Sequence, residues 1–164
     1  GSEVEPPLGS THDVELSAWR LFERLLVMEE FERFEQALVL VDRFGFEAGR
    51  SQLHLGRLLY RRGFLEHAVE PLLGALQAGV RDLWLFRTLG VLLARRGAAA
   101  DARALFDAAL SLDPDELRLH LLCADELARA GDPLGARHIL TRARQRWPGA
   151  TEVARRLERL TAPA

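Results

Sequence analysis

Residues 56–68 read GRLLYRRGFLEHA, and residues 90–102 read GVLLARRGAAADA. The two stretches share an opening glycine, a Leu-Leu pair, an Arg-Arg-Gly triplet and a closing alanine, at a spacing of 34 residues. The register carries one step further. Gly63, Gly97 and Gly131 fall in one column; Ala68, Ala102 and Ala136 in the next; then Leu72, Phe106 and Leu140, and Ala75, Ala109 and Ala143. Upstream, Leu59, Leu93 and Leu127 align, as do Leu55, Leu89 and Cys123. Pro114 and Pro148 close the last two units, with Val80 in that place in the first. A fixed period of this length means stacked copies of one supersecondary unit, each too small to bury its own apolar face.

Each column has a physical reading. Small residues at Gly56, Gly90 and Ala124, facing alanine at 68, 102 and 136, let two antiparallel helices approach closely, and large apolar residues fill the seam. Gly63, Gly97 and Gly131 fit a left-handed residue that ends the first helix. Asp132-Pro133 reads as an N-cap followed by proline at the first helical position, and Asp82 and Thr151 are further N-cap candidates. Trp147-Pro148-Gly149 is a stop signal. The resulting map has helices at 13–29, 32–44, 50–62, 65–78, 82–96, 99–112, 115–130, 133–147 and 151–161.

On these residues the chain resembles the tetratricopeptide-repeat family. The unit 83–116 matches best, with Phe86, Leu89-Gly90, Leu93, Gly97, Ala102, Phe106, Ala109 and Pro114. The unit 49–82 matches but lacks the proline, and in 117–150 Cys123-Ala124 stands in for Leu-Gly. Residues 13–48 form a divergent first helix pair, because Leu21, Phe22 and Leu25 fit one register and Ala37 another. The resemblance implies an all-α, right-handed superhelical solenoid of antiparallel helix pairs, about nine helices in all. The last, 151–161, sets Val153, Leu157 and Leu160 against charged residues, as a capping helix over an exposed repeat edge requires.

Composition narrows the function classes. The chain has 164 residues, 48% hydrophobic and 28% charged, with a formal net charge of -2. All 22 basic residues are arginine, which fits a GC-rich, bacterial coding bias as well as selection for guanidinium groups. Residues 1–48 carry 11 acids and 4 arginines, whereas residues 49–164 carry 13 acids and 18 arginines. One cysteine excludes an internal disulfide, and no apolar run reaches the length of a membrane span. Residues 3–12, EVEPPLGSTH, read as a flexible lead-in behind a Gly1-Ser2 cloning scar. The tail 162–164 follows the capping helix, and a cytoplasmic location is expected.

The resemblance also implies which positions face the groove: the second, fifth, ninth, twelfth and thirteenth of each unit. They are Arg50, Leu53, Arg57, Tyr60 and Arg61; Trp84, Arg87, Val91, Ala94 and Arg95; Arg118, Leu121, Asp125, Ala128 and Arg129. Seven of these fifteen are arginine, several times the share in the whole chain. Guanidinium groups offer paired donors to carboxylates, and Tyr60 and Trp84 add flat apolar surface. The expected partner is therefore an acidic peptide or protein segment, and the alternative is that the arginines only solvate a helix face. Neutralisation of the groove in cis, by the acidic stretch Glu29-Glu30-Phe31-Glu32 or by the lead-in, is a third reading. A client-holding secretion chaperone, with a possible homodimer, and an accessory domain of a larger enzyme are the rival functions.

Other signals carry less. His12, His54, His67, His120 and His138 show no metal-ligand spacing, and no cofactor motif or nucleophile elbow is present, so neither metal nor enzyme activity is expected. Cys123 falls in a helix seam, where a buried inert thiol is expected. Acidic pairs at Asp115-Glu116 and Asp125-Glu126 read as helix surface, the first pair lying in a first turn. Trp147 is expected against the capping helix, and Trp19 in a core. Nucleic acid is not an expected partner, because acids balance the arginines and aromatic platforms are few.

Overall fold

In a computed structural model, residues 48–162 are described together with Arg20 and Arg24. The helices expected at 13–29 and 32–44, with Trp19 and the acidic stretch 29–32, lie outside the described residues. The chain divides into two compact units, Gly1–Val80 and Arg81–Ala164.

The first unit contains α1 (Ala48–Arg61) and α2 (Leu65–Gln77), packed on each other. Arg62 and Gly63 make the connection, and Gly63 has φ +85°. The Gly63 N–H donates to Tyr60 O at 3.0 Å and the Phe64 N–H to Leu59 O at 2.9 Å. This pair of bonds satisfies carbonyls that the end of the helix would otherwise leave unpaired. Leu59, Ala68, Val69, Leu72 and Ala75 are buried.

The second unit contains α3 (Leu83–Arg95), α4 (Ala99–Leu112), α5 (Leu117–Arg129), α6 (Pro133–Arg146) and α7 (Thr151–Thr161). Helix α3 packs on α4, α5 on α6 and α6 on α7, while α5 also meets α3 and α4. The turn chemistry of α1 recurs. Gly97 (φ +82°) and Gly131 (φ +89°) follow α3 and α5, with Ala98 N–H on Leu93 O at 3.0 Å and Asp132 N–H on Leu127 O at 2.9 Å. Leu59, Leu93 and Leu127 therefore serve twice: each side chain fills a seam, and each carbonyl closes a turn.

The second helices end differently, and the proline column explains how. Asp113 and Trp147, the residues before Pro114 and Pro148, leave the helical region with ψ of 74° and 71°. Proline imposes that on its predecessor. The unit that lacks the proline ends α2 through Gly79 instead, at φ +87°, with Val80 N–H on Ala75 O at 3.1 Å. Val80 therefore stands in the proline column without being a breaker, and the glycine before it does that job.

Two boundaries correct the sequence reading. Helix α5 begins at Leu117, not 115: Glu116 is its N-cap, accepting from the Arg118 N–H at 3.2 Å, so Asp115 stays in the loop. Thr151 is not an N-cap. Ala150 holds that place with no side-chain bond, and the Ala154 N–H already donates to Ala150 O, which puts Thr151 inside the first turn. Asp82 and Asp132 do cap, accepting from Leu85 N–H at 2.8 Å and Gly135 N–H at 2.9 Å.

The core of the second unit centres on the repeat columns. Leu89, Phe106, Leu127 and Leu140 are fully buried, and Leu85, Ile139 and, from the capping helix, Val153 join them. Burying such a side chain is worth about 1.5–3 kcal/mol against leaving it in water. Alanine at 102, 109, 136 and 143 is equally buried and contributes little area; its role is to let the backbones approach.

Candidate peptide-binding face

The expected groove residues fall on the first helix of each pair. Arg50, Arg57, Tyr60 and Arg61 lie on α1; Trp84, Arg87 and Arg95 on α3; Arg118, Asp125 and Arg129 on α5. Arg50, Arg61, Arg87, Arg95, Arg118 and Arg129 are exposed, while Arg57, Tyr60, Trp84 and Asp125 are half-buried. Three expected groove positions are not on the surface: Leu53, Ala94 and Leu121 are buried at 8%, 3% and 7% exposure. Their apolar side chains pack inside their units instead, leaving the longer polar residues of the same helices outside.

Within the second unit, α3 and α5 bring two of the arginines together. Arg95 Nη2 lies 3.8 Å from Glu126 Oε1, and Arg129 Nη1 donates to the same oxygen at 3.2 Å. The arginine side chains are 62% and 72% exposed, whereas that of Glu126 is 5% exposed. Expected as helix surface, Glu126 is thus a buried carboxylate. Ion pairs with such exposed arginines are each worth only about 0–1 kcal/mol. An uncompensated buried carboxylate costs several times more. The balance holds both guanidinium groups over Glu126, and each keeps further N–H donors directed elsewhere.

Asp125, the neighbouring residue, is engaged from the other side. Arg156 of α7 donates through Nε to Oδ1 at 2.8 Å and through Nη2 to Oδ2 at 3.0 Å. This hydrogen-bonded carboxylate raises the guanidinium pKa of Arg156 above its ordinary value. Both oxygens of the one acidic residue among the expected groove positions are therefore already satisfied by the capping helix.

Sequence reasoning missed Glu126 and Arg156. The Glu126–Arg129 spacing of three residues is a helix ion-pair signal that could have drawn attention to the first. Nothing local marks Arg156 as the partner of a residue one repeat earlier.

Cys123 is buried in its seam as expected, and burial pushes its thiol up to about 12, with Asp107 adding to the effect and Arg87 opposing it. A thiol so placed is protonated and unreactive at neutral pH. Trp147 makes a ring contact with His120 of α5, edge to face with centroids 5.1 Å apart. Among the described residues no group of three or more His, Cys, Asp or Glu could hold a metal ion, and no helix is long and apolar enough to cross a membrane.

No family model and no curated protein matches this chain. Solved structures do. MamA from Desulfovibrio magneticus RS-1 superposes with a TM-score of 0.61 at 14% identity, covering 93% of this chain and 84% of that one. YrrB, described as a TPR protein with an unusual peptide-binding site, gives 0.59 at 19% identity, covering 86% and 73%. PilF from Pseudomonas aeruginosa gives 0.55 at 14%, covering 92% and 68%. The chain has the all-α tetratricopeptide-repeat fold that its 34-residue columns imply.

Proposed function

We propose that this protein is a non-enzymatic interaction module whose arginine-bearing helices receive an acidic segment of a protein partner. The observation that carries this reading is the convergence of Arg95 and Arg129 on one oxygen of buried Glu126. Two exposed guanidinium groups held at one point lose less freedom on binding than two free side chains would. Their remaining donors suit a carboxylate, which guanidinium matches in plane and charge. The likeness in fold to YrrB, itself described with a peptide-binding site, supports the class of ligand.

The test is capture of partners from the native host by wild type beside a triple variant, Arg57→Glu, Arg87→Glu and Arg95→Glu, read by mass spectrometry. Arg129 is left in place so that Glu126 keeps its closer partner. Circular dichroism checks that helical content is unchanged. A protein captured by wild type, lost with the variant, and rich in acidic residues is the expected result. Equal recovery from both would refute the groove reading and reduce these arginines to solvated surface.

A further inference from the structure

A cleft bearing two further arginines lies at the C-terminal end of α6, apart from Arg95 and Arg129 in the sequence. It measures about 330 Å³ and is lined by Pro114, His120, Arg142, Gln145 and Arg146. Helix α6, PLGARHILTRARQR, contains no acidic residue, so Arg142 and Arg146 have no partner within their own helix. They sit one turn apart, a rise of about 6 Å along the axis.

The surroundings fix two of the lining groups. His120 is 5% exposed, and its Nδ1 lies 2.9 Å from Glu116 O. A carbonyl can only accept, so Nδ1 carries the proton of that bond. The imidazole and the Trp147 indole meet edge to face with centroids 5.1 Å apart, and the Arg146 guanidinium lies 5.8 Å from the centre of the same indole. Trp147 thus braces both. Asp115, in the loop that precedes α5, forms an ion pair with Arg146. That carboxylate shows in cis the kind of group Arg146 accepts, and both of its side chains are exposed enough to part, at 51% and 69%.

From this geometry we propose that the cleft binds a small polyanion whose two oxyanion groups are received by guanidinium groups one helical turn apart, such as a short dicarboxylate or pyrophosphate. One oxyanion group meets Arg142 and the other displaces Asp115 from Arg146. Gln145, between them in sequence, supplies neutral donors. None of the groove arginines takes part, so the site stands or falls independently of the peptide-binding reading.

The test is titration of the full chain with malonate, succinate and pyrophosphate, following the ring-proton signals of His120 by NMR and the heat of binding by calorimetry. Saturable shifts at His120 are expected. Binding should weaken about tenfold or more in an Arg142→Gln, Arg146→Gln variant, because each substitution removes charge-assisted hydrogen bonds. Asp115→Asn removes the competing carboxylate and should tighten binding about threefold, the size of an exposed ion pair. A dicarboxylate response that favours succinate over malonate indicates recognition by spacing, and pyrophosphate binding tighter than both indicates recognition by charge; either places the polyanion here. No saturable shift at His120 with any of the three probes, or equal binding by the double variant, would overturn the proposal. All three substituted residues are exposed, so the variants retain the fold.

Discussion

Arg156 and Asp125 form a two-pronged pair across 31 residues, with Nε on Oδ1 at 2.8 Å and Nη2 on Oδ2 at 3.0 Å. Helix α7 packs on α6, yet its one bidentate bond reaches α5. The capping helix is therefore held by two different means: Val153 and Leu157 are buried beneath it, and Arg156 ties its flank to the preceding repeat.

These two means should differ in size. Asp125 and Arg156 are partly exposed, so a double-mutant cycle of Asp125→Ala and Arg156→Ala should give a coupling of about 1 kcal/mol. Leu157→Ala, which empties a packed site, should cost about 2–4 kcal/mol. Chemical denaturation of the four proteins of the cycle and of Leu157→Ala measures both. A coupling near zero would mean that the pair is a geometric coincidence, with burial alone holding α7.

The seam between paired helices makes a sharper prediction at Gly90. A Cβ there would lie 2.6 Å from Phe106 Cε1 and 2.8 Å from Cδ1. The ring is fully buried and has nowhere to retreat. Gly90→Ala should therefore destabilise by about 1–3 kcal/mol despite alanine's better helix propensity. The repeat supplies its own rescue: in the last unit alanine stands in the Gly90 column at Ala124 and leucine in the Phe106 column at Leu140. Adding Phe106→Leu to Gly90→Ala should cost less than the two single changes together. Strict additivity in the denaturation midpoints would show that these two residues do not share the strain.

Why the sequence discloses so much of this fold is visible in the same columns. A repeat writes each packing requirement several times, so Gly63, Gly97 and Gly131 vouch for one another, and their φ values of +85°, +82° and +89° answer one need. The ion pairs carry no such redundancy. Glu126 and Arg156 each occur at one point of the array, and their pairing depends on which side chains neighbouring repeats happen to present. Leu53, Ala94 and Leu121 show the opposite limit. A column number places a residue on a helix face, but side-chain chemistry decides whether that position turns outward or packs inward. The shift of α5 from 115 to Leu117 is a third case: Asp113, Pro114 and Asp115 all suit a helix start, yet Asp113 ends α4 and the cap falls on Glu116.

Capping gives a paired prediction at Asp132 and Thr151, which look alike in sequence. Asp132 Oδ1 accepts from the Gly135 N–H at 2.9 Å, and Oδ2 lies 4.0 Å from Arg103 Nη1. Thr151 is one residue inside α7 and caps nothing. Asp132→Ala should cost about 1 kcal/mol, with the loss of the exposed ion pair adding little. Thr151→Ala should be neutral or slightly stabilising, because alanine is the better helix former at that site. Thermal unfolding of both variants distinguishes them, and an equal loss from each would restore Thr151 as a cap.

Alkaline stability should be governed in part by Cys123. In the unfolded chain the thiol loses its proton near its ordinary value of 9.0, whereas burial keeps it protonated in the folded protein to about 12. Below about pH 9 both states hold the proton and the thiol makes no pH-dependent contribution. Above it the unfolded chain binds fewer protons than the folded one, so stability falls as pH rises, and the fall levels off beyond about pH 12. Cys123→Ala removes this titration while leaving Tyr60 and every arginine in place. The wild-type denaturation midpoint should therefore drop more steeply than that of the variant between about pH 9 and about pH 12. A disulfide-exchange reagent should label Cys123 in native protein at neutral pH only at the rate of local opening, since the thiol is both buried and protonated. Parallel pH profiles for the two proteins, or rapid labelling of the native state, would show that the α5 seam admits water to the sulfur.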